Sequence, residues 1–189
     1  MRAFLGLDVP ESARRVLSGI RVKLDQTSAA YPGLRWTSSE NLHLTVRFLG
    51  DIEESVGDML TSRLRGSLRA FGPVLLQVEG ISWFPARNPT VLAAGLASSQ
   101  RLQELFDIVE SEVVSAGLPS ESRSPHPHIT VARLRPRETN CLPKIDEQVN
   151  AEFWCRELIL FQSRLLPTGA QYAYFGEISL GGFPMIDRS

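Results

Sequence analysis

One four-residue word occurs twice in this chain. His43-Leu44-Thr45-Val46 returns as His128-Ile129-Thr130-Val131, so two of the three histidines stand in near-identical settings. Both words lie in apolar, strand-like runs, NLHLTVRFLG and HPHITVARL. In a strand, residues two apart point to the same face. His43 therefore projects with Thr45 while Leu44, Val46 and Phe48 pack beneath, and His128 projects with Thr130 over Ile129 and Val131. The words fall roughly symmetrically about the chain's centre, which predicts an internal duplication, with residues 1–189 forming a single domain of two similar lobes. Lobes that face each other would bring both His-x-Thr pairs into one central cleft.

The flanking pattern fits that architecture. Residues 2–9 read as a strand closed by Pro10 at a helix start. Ala13, Val16, Leu17, Ile20 and Leu24 form a helical stripe, and Tyr31-Pro32-Gly33 signals a turn before a short strand at Leu34-Arg35-Trp36. After the first His strand, residues 42–49, comes a second helical stripe: Val56, Met59, Leu60, Leu64 and Leu68. Strands near 74–84 and 90–97 follow, split by a Pro85 to Pro89 loop. Leu102, Leu105, Phe106, Val109 and Val113 mark a third helix ended by Gly117. The last third is strand-rich, from Phe153 to Leu165 and from Gln171 to Leu180 around a Pro167 to Ala170 turn. Helices interrupting hairpin-connected strands predict an α+β fold, with antiparallel sheets lining the cleft and helices outside.

Composition limits what such a cleft could bind. Net charge is −1 with 43% hydrophobic and 22% charged residues, ordinary for a globular protein. Nucleic-acid contact would therefore need a local basic patch. All basic residues but Lys23 and Lys144 are arginine. Cys141 and Cys155 form neither a C-x-x-C pair nor a disulfide framework, and the opening apolar run is too short for a signal peptide. These features predict a cytoplasmic protein without membrane attachment. No patch or heptad argues for a dimer, so a monomer is expected.

Two imidazoles and two hydroxyls in one cleft match the needs of phosphodiester hydrolysis without a metal. A histidine titrates near neutrality, so one ring can act as base and the other as acid. Threonine hydroxyls can donate to phosphate oxygens, and Arg47 and Arg133 are nearby cations. A lone histidine on an apolar strand is ordinarily structural, bonded to a backbone carbonyl. The repetition with threonine at period two favours a functional pair. His126-Pro127-His128 also offers an H-x-H metal pattern, but neither cysteine sits at ligand spacing and no acidic residue interrupts either His strand. No metal or other cofactor is expected. His126 is placed at the strand entrance, held extended by Pro127.

The two words, together with RAFLGLDVP, RWTSSENLHLTVRFLGDI, GISWFP and ELILFQSRLLPTGAQYAYFGEISL, resemble the 2H phosphoesterase superfamily. Within it they resemble the RNA 2′,3′-cyclic phosphodiesterase, or 2′-5′ RNA ligase, family. That resemblance implies a V-shaped cleft and hydrolysis of an RNA-terminal 2′,3′-cyclic phosphate to a 2′-phosphate, with reversible 2′-5′ ligation as a companion reaction. It implies His43 as proton donor, His128 as proton acceptor, Thr45 and Thr130 as phosphate holders and Arg133 as a phosphate-side arginine. The expected partner is RNA ending in a cyclic phosphate, tRNA fragments among them. Strict alternation sends Arg133 to the far face, so a bulge or the strand's end would have to turn it inward. Arg47 alternates onto the histidine face, to be cleft-facing or solvated. Trp36, Phe48, Trp83 and Tyr172 are candidates to stack a base, each more readily explained by core packing. Two other readings stay open, a phosphodiesterase of small cyclic phosphates and a protein that grips RNA ends without turnover.

Overall fold

The computed structural model describes residues 1–27, 34–134, 145, 147–166 and 169–181. The Tyr31 to Gly33 turn, Cys141 and the Pro167-Thr168 part of the last turn lie outside the described residues. The chain runs β1 (Arg2–Asp8), α1 (Glu11–Thr27), β2 (Leu34–Trp36), a 3-10 turn (Ser39–Asn41), β3 (His43–Asp51), α2 (Glu54–Ser67), β4 (Val74–Phe84) and β5 (Val91–Leu96). It continues with α3 (Gln100–Ser115), β6 (His128–Leu134), β7 (Glu147–Cys155), β8 (Glu157–Leu166) and β9 (Gly169–Ser179). This is the α+β order expected. No helix among the described residues is long and apolar enough to cross a membrane.

Alternation divides the strands between two faces. In β1, Ala3, Leu5 and Leu7 join the large core, whereas Phe4 belongs to a small cluster with Ile159 and Phe161 on the other side. The helices cover the first face. Leu102, Leu105, Val109 and Val113 of α3 recur at helical spacing and are buried there. Ser99 caps α3 by accepting from the Leu102 amide at 3.1 Å, and Gly117 turns the chain away beyond its end at φ 85°.

The nine strands among the described residues form one antiparallel sheet in the order β7-β4-β5-β6-β3-β1-β8-β9, with β2 paired to β6. The two expected sheets are thus wings of a single sheet, and the two His strands are its central neighbours. They meet at Leu44 opposite Ile129, both buried in the helix-side core. Continuing that register by one residue each way sets His43 against Thr130 and Thr45 against His128. Residues directly opposite in an antiparallel pair share a face, so all four side chains belong to the open face.

Each His strand then takes an extra residue just past its threonine. In β3, Thr45 pairs with Gly6 but Arg47 pairs with Leu5, leaving Val46 as a bulge. In β6, Thr130 pairs with Ala93 but Ala132 pairs with Leu92, leaving Val131 as a bulge. A bulge inverts the alternation beyond it, and this changes three side chains from their expected faces. Arg47 goes to the helix side instead of the histidine face, where its Nε donates to Glu110 of α3 at 2.6 Å. Phe48, expected beneath, is 61% exposed on the open face, its ring 6.0 Å from that of Phe4. Arg133 follows two consecutive buried residues, Val131 and Ala132, and turns to the open face.

The bulges predict stability effects of different size for the two adjacent residues they redirect, Arg47 and Phe48. Arg47 and Glu110 are 13% and 31% exposed, so Glu110→Ala leaves a half-buried guanidinium without its ion pair. That change should cost about 1–2 kcal/mol, or roughly 2–8 °C in thermal midpoint for a chain of this size. Phe48→Ala should cost only about 0.5 kcal/mol as a surface change. A loss of the size seen for core phenylalanines, about 3–5 kcal/mol, would return Phe48 to the helix side.

Candidate active site

His43 opens β3 immediately after the 3-10 turn. Its Nδ1 lies 2.7 Å from the Asn41 carbonyl, which fixes a proton on that nitrogen, and its Nε2 lies 3.1 Å from Thr45 Oγ1. Rings from three other strands wall it in. Phe4 is 4.8 Å away between centroids, Phe161 5.6 Å, and Tyr172 presents its edge at 5.2 Å. Gly6 permits this approach. A Cβ there would sit 2.9 Å from the Leu44 carbonyl oxygen and 3.5 Å from His43 Cδ2.

Burial among these rings pushes the His43 pKa down to about 4, aided by the Arg133 charge and opposed by the Asn41 carbonyl and Asp8. The ring is therefore neutral near pH 7. The turn that positions it is clamped from behind. Arg14 of α1 donates to the Val9 carbonyl at 2.9 Å and also to the Ser39 carbonyl and Asp8, tying the 3-10 turn to the end of β1. Asn41 further donates to the Ala170 carbonyl of β9 at 3.2 Å.

His128 repeats the arrangement in a wetter setting. Its Nδ1 lies 2.7 Å from the His126 carbonyl, two residues back as in the first copy. Phe84, at the end of β4, packs against it at 4.4 Å. Both rings thus use Nδ1 to orient themselves and keep Nε2 for other work. His126 stands outside the strand at its entrance, as expected. Its ring reaches the Ser124 carbonyl at 3.0 Å, and its own carbonyl holds His128.

The fold brings together all five expected site residues. Thr45 and Thr130 share the open face across the seam, and Arg133 stands close enough for its charge to act on His43. The base-stacking candidates separate into two groups. Phe48 and Tyr172 are on the open face, whereas Trp36 and Trp83 pack against the helix-side core. Among the described residues no three His, Cys, Asp or Glu side chains converge as a metal site. Three aromatic neighbours escaped the sequence reading. Phe4 and Phe161 sit in strands buried on both faces, where a phenylalanine gives no sign of which side it serves, and Phe84 ends β4, where the alternation gives way to two consecutive half-buried residues.

Residues 9–165 match the 2′-5′ RNA ligase superfamily. The chain is 29% identical over 185 residues to the RNA 2′,3′-cyclic phosphodiesterase of Thermotoga maritima, covering 96% of this chain and 97% of that one. It is 31% identical to the protein of the same name from Methanothermobacter thermautotrophicus, covering 91% and 95%. In structure it is similar to a protein of Thermus thermophilus, with a TM-score of 0.82, 24% identity and coverage of 96% and 99%. Apo LigT of Escherichia coli follows the same fold at a TM-score of 0.75 and 24% identity, covering 94% and 96%. A match over most of its length, with both His-Φ-Thr strands inside it, makes this chain a member of the 2′-5′ RNA ligase superfamily.

Proposed function

We propose that the protein hydrolyses the 2′,3′-cyclic phosphate at an RNA end to a 2′-phosphate, using two histidines and no metal. The observation that carries this reading is the pair of imidazoles, each anchored through Nδ1 to the carbonyl two residues back, each beside a threonine on one open face. The names of its relatives support the same substrate class. In this reading His128 Nε2 takes a proton from water as the water oxygen attacks phosphorus. The bond from phosphorus to the ribose 3′ oxygen breaks, and that oxygen takes a proton from His43 Nε2. Thr45, Thr130 and Arg133 hold the non-bridging oxygens, where charge accumulates. Proton exchange with solvent then restores both rings.

The resting His43 must gain a proton before it can serve as donor. A bound phosphodiester supplies the reason, because its negative charge favours the imidazolium and neutralises Arg133. The exposed Phe48 and the half-buried Tyr172 offer a stacking surface for the base beside it. Reverse 2′-5′ ligation would run through the same groups. The reading also treats the chain as one duplicated domain, supported by the mirrored strand order about the β3–β6 seam. A monomer acting in the cytoplasm on RNA ends, tRNA fragments included, completes it.

Turnover of an oligoribonucleotide with a 2′,3′-cyclic phosphate end, in EDTA, tests the reaction. Wild type should yield the 2′-phosphate, and His43→Ala and His128→Ala should each lower kcat by about 10²–10⁴-fold while remaining folded. Activity lost in EDTA and restored by zinc or magnesium would sink the metal-free mechanism. Binding without turnover would support an RNA-end-binding protein, and turnover confined to small cyclic phosphates would change the substrate.

The buried ring makes a second, pH-dependent prediction. By NMR, His43 should titrate near 4 in the free protein and move upward when the 2′-phosphate product binds. An unmoved titration would remove it as proton donor. Stability should follow the same group. The unfolded chain takes up this proton near pH 6.5, before the folded chain does, so folding stability falls as pH drops from there towards 4. His43→Asn should flatten that part of the profile.

A further inference from the structure

We infer that Arg35 is a second anion-binding arginine of this site, one that holds a backbone phosphate of the RNA upstream of the reacting end. The inference rests on the proposed RNA substrate and adds a residue that no sequence motif singled out. Arg35 is the middle residue of β2 and lies directly opposite Arg133 of β6. Its neighbours Leu34 and Trp36 pack against the helix-side core, so Arg35 points the other way, onto the open face. The Val131 bulge turns Arg133 to that same face.

Two guanidinium side chains therefore stand opposite each other on one face, and both are exposed. Like charges directly opposed across strands are destabilising. Neither arginine has a hydrogen bond or ion pair with another described residue, whereas Arg14, Arg47 and Arg63 each hold a carboxylate. The position matters as much as the charge. β2 takes the edge of β6 beyond the point where β3 leaves it, so the pair lies just past His43 and Thr130 along the seam. Arg133 is the nearer of the two to the reacting phosphate, and its charge acts on His43. Arg35 stands one strand spacing from it, about 5 Å, on the β3 side of β6 and in line with the start of β3, and its charge is not among those that act on His43. A single terminal phosphate engages the first arginine, and a chain that continues past it engages the second.

Steady-state kinetics on two substrates tests this, comparing a mononucleoside 2′,3′-cyclic phosphate with an oligoribonucleotide carrying the same end. Arg35→Gln should raise KM for the oligomer about tenfold more than KM for the mononucleotide, with the thermal midpoint unchanged or raised. Arg15→Gln, on the outer surface of α1 and 77% exposed, controls for loss of one positive charge. In parallel, fluorescence anisotropy measures affinity for the oligomer ending in a 2′-phosphate as salt is varied. The log–log slope for Arg35→Gln should be shallower than wild type by about 0.7, one phosphate contact to a single strand. A variant that matches Arg15→Gln in both measurements overturns the inference. Equal losses on the two substrates overturn the backbone assignment and move Arg35 to the reacting phosphate. Absence of turnover by wild type would count against the phosphodiesterase reading, and the anisotropy slope would still decide the role of Arg35.

Discussion

Everything on the open face depends on how two antiparallel strands meet at Leu44 and Ile129. That pair is buried among helix-side residues, so its neighbours in each strand must face the other way. Antiparallel pairing then sets each histidine across from the other strand's threonine. A slip of one residue in either strand would send that strand's histidine and threonine into the core and its apolar side chains to the surface. The apolar register that stabilises the sheet is therefore the same register that assembles the site.

The bulges at Val46 and Val131 extend this logic and also break its symmetry. Each delivers the residue five places after its histidine to the open face. In one strand that residue is Phe48 and in the other Arg133, an aromatic platform at one end of the seam and a cation at the other. The displaced residues differ in a matching way. Arg47 would be an unpaired charge against the helices, and Glu110 meets it, whereas Ala132 needs no partner. Small local differences thus give two nearly identical words different surroundings and different chemistry.

The histidines diverge most in burial. His43 is enclosed by Phe4, Phe161 and Tyr172, while His128 has Phe84 on one side and solvent near the other. Enclosure depresses the pKa of His43 and makes its protonation sensitive to the charge of whatever occupies the cleft. The Arg14 clamp and the Asn41 bond to β9 hold the turn that aims this ring. In the proposed mechanism a proton on His43 is then tied to the presence of an anion, which couples its charge state to occupancy.

The sequence by itself determined what depends on neighbours a few residues away. Period-two alternation placed His43 with Thr45 and His128 with Thr130, and the helical stripes located three helices that the fold retains. The entrance position of His126 also followed from Pro127. Local pattern could not determine what depends on a partner strand. A bulge exists only relative to the strand it faces, so Phe48 and Arg47 exchanged faces against strict alternation, and Arg133 needed the Val131 bulge to turn inward. Phe4, Phe84 and Phe161 come from strands far apart in the chain and become a wall only when β1, β4 and β8 are in place. The opposition of Arg35 and Arg133 likewise arises from pairing across nearly a hundred residues. Local alternation chose which side chains could do chemistry, and tertiary pairing decided which of them meet, how deeply each is buried and what charge it carries.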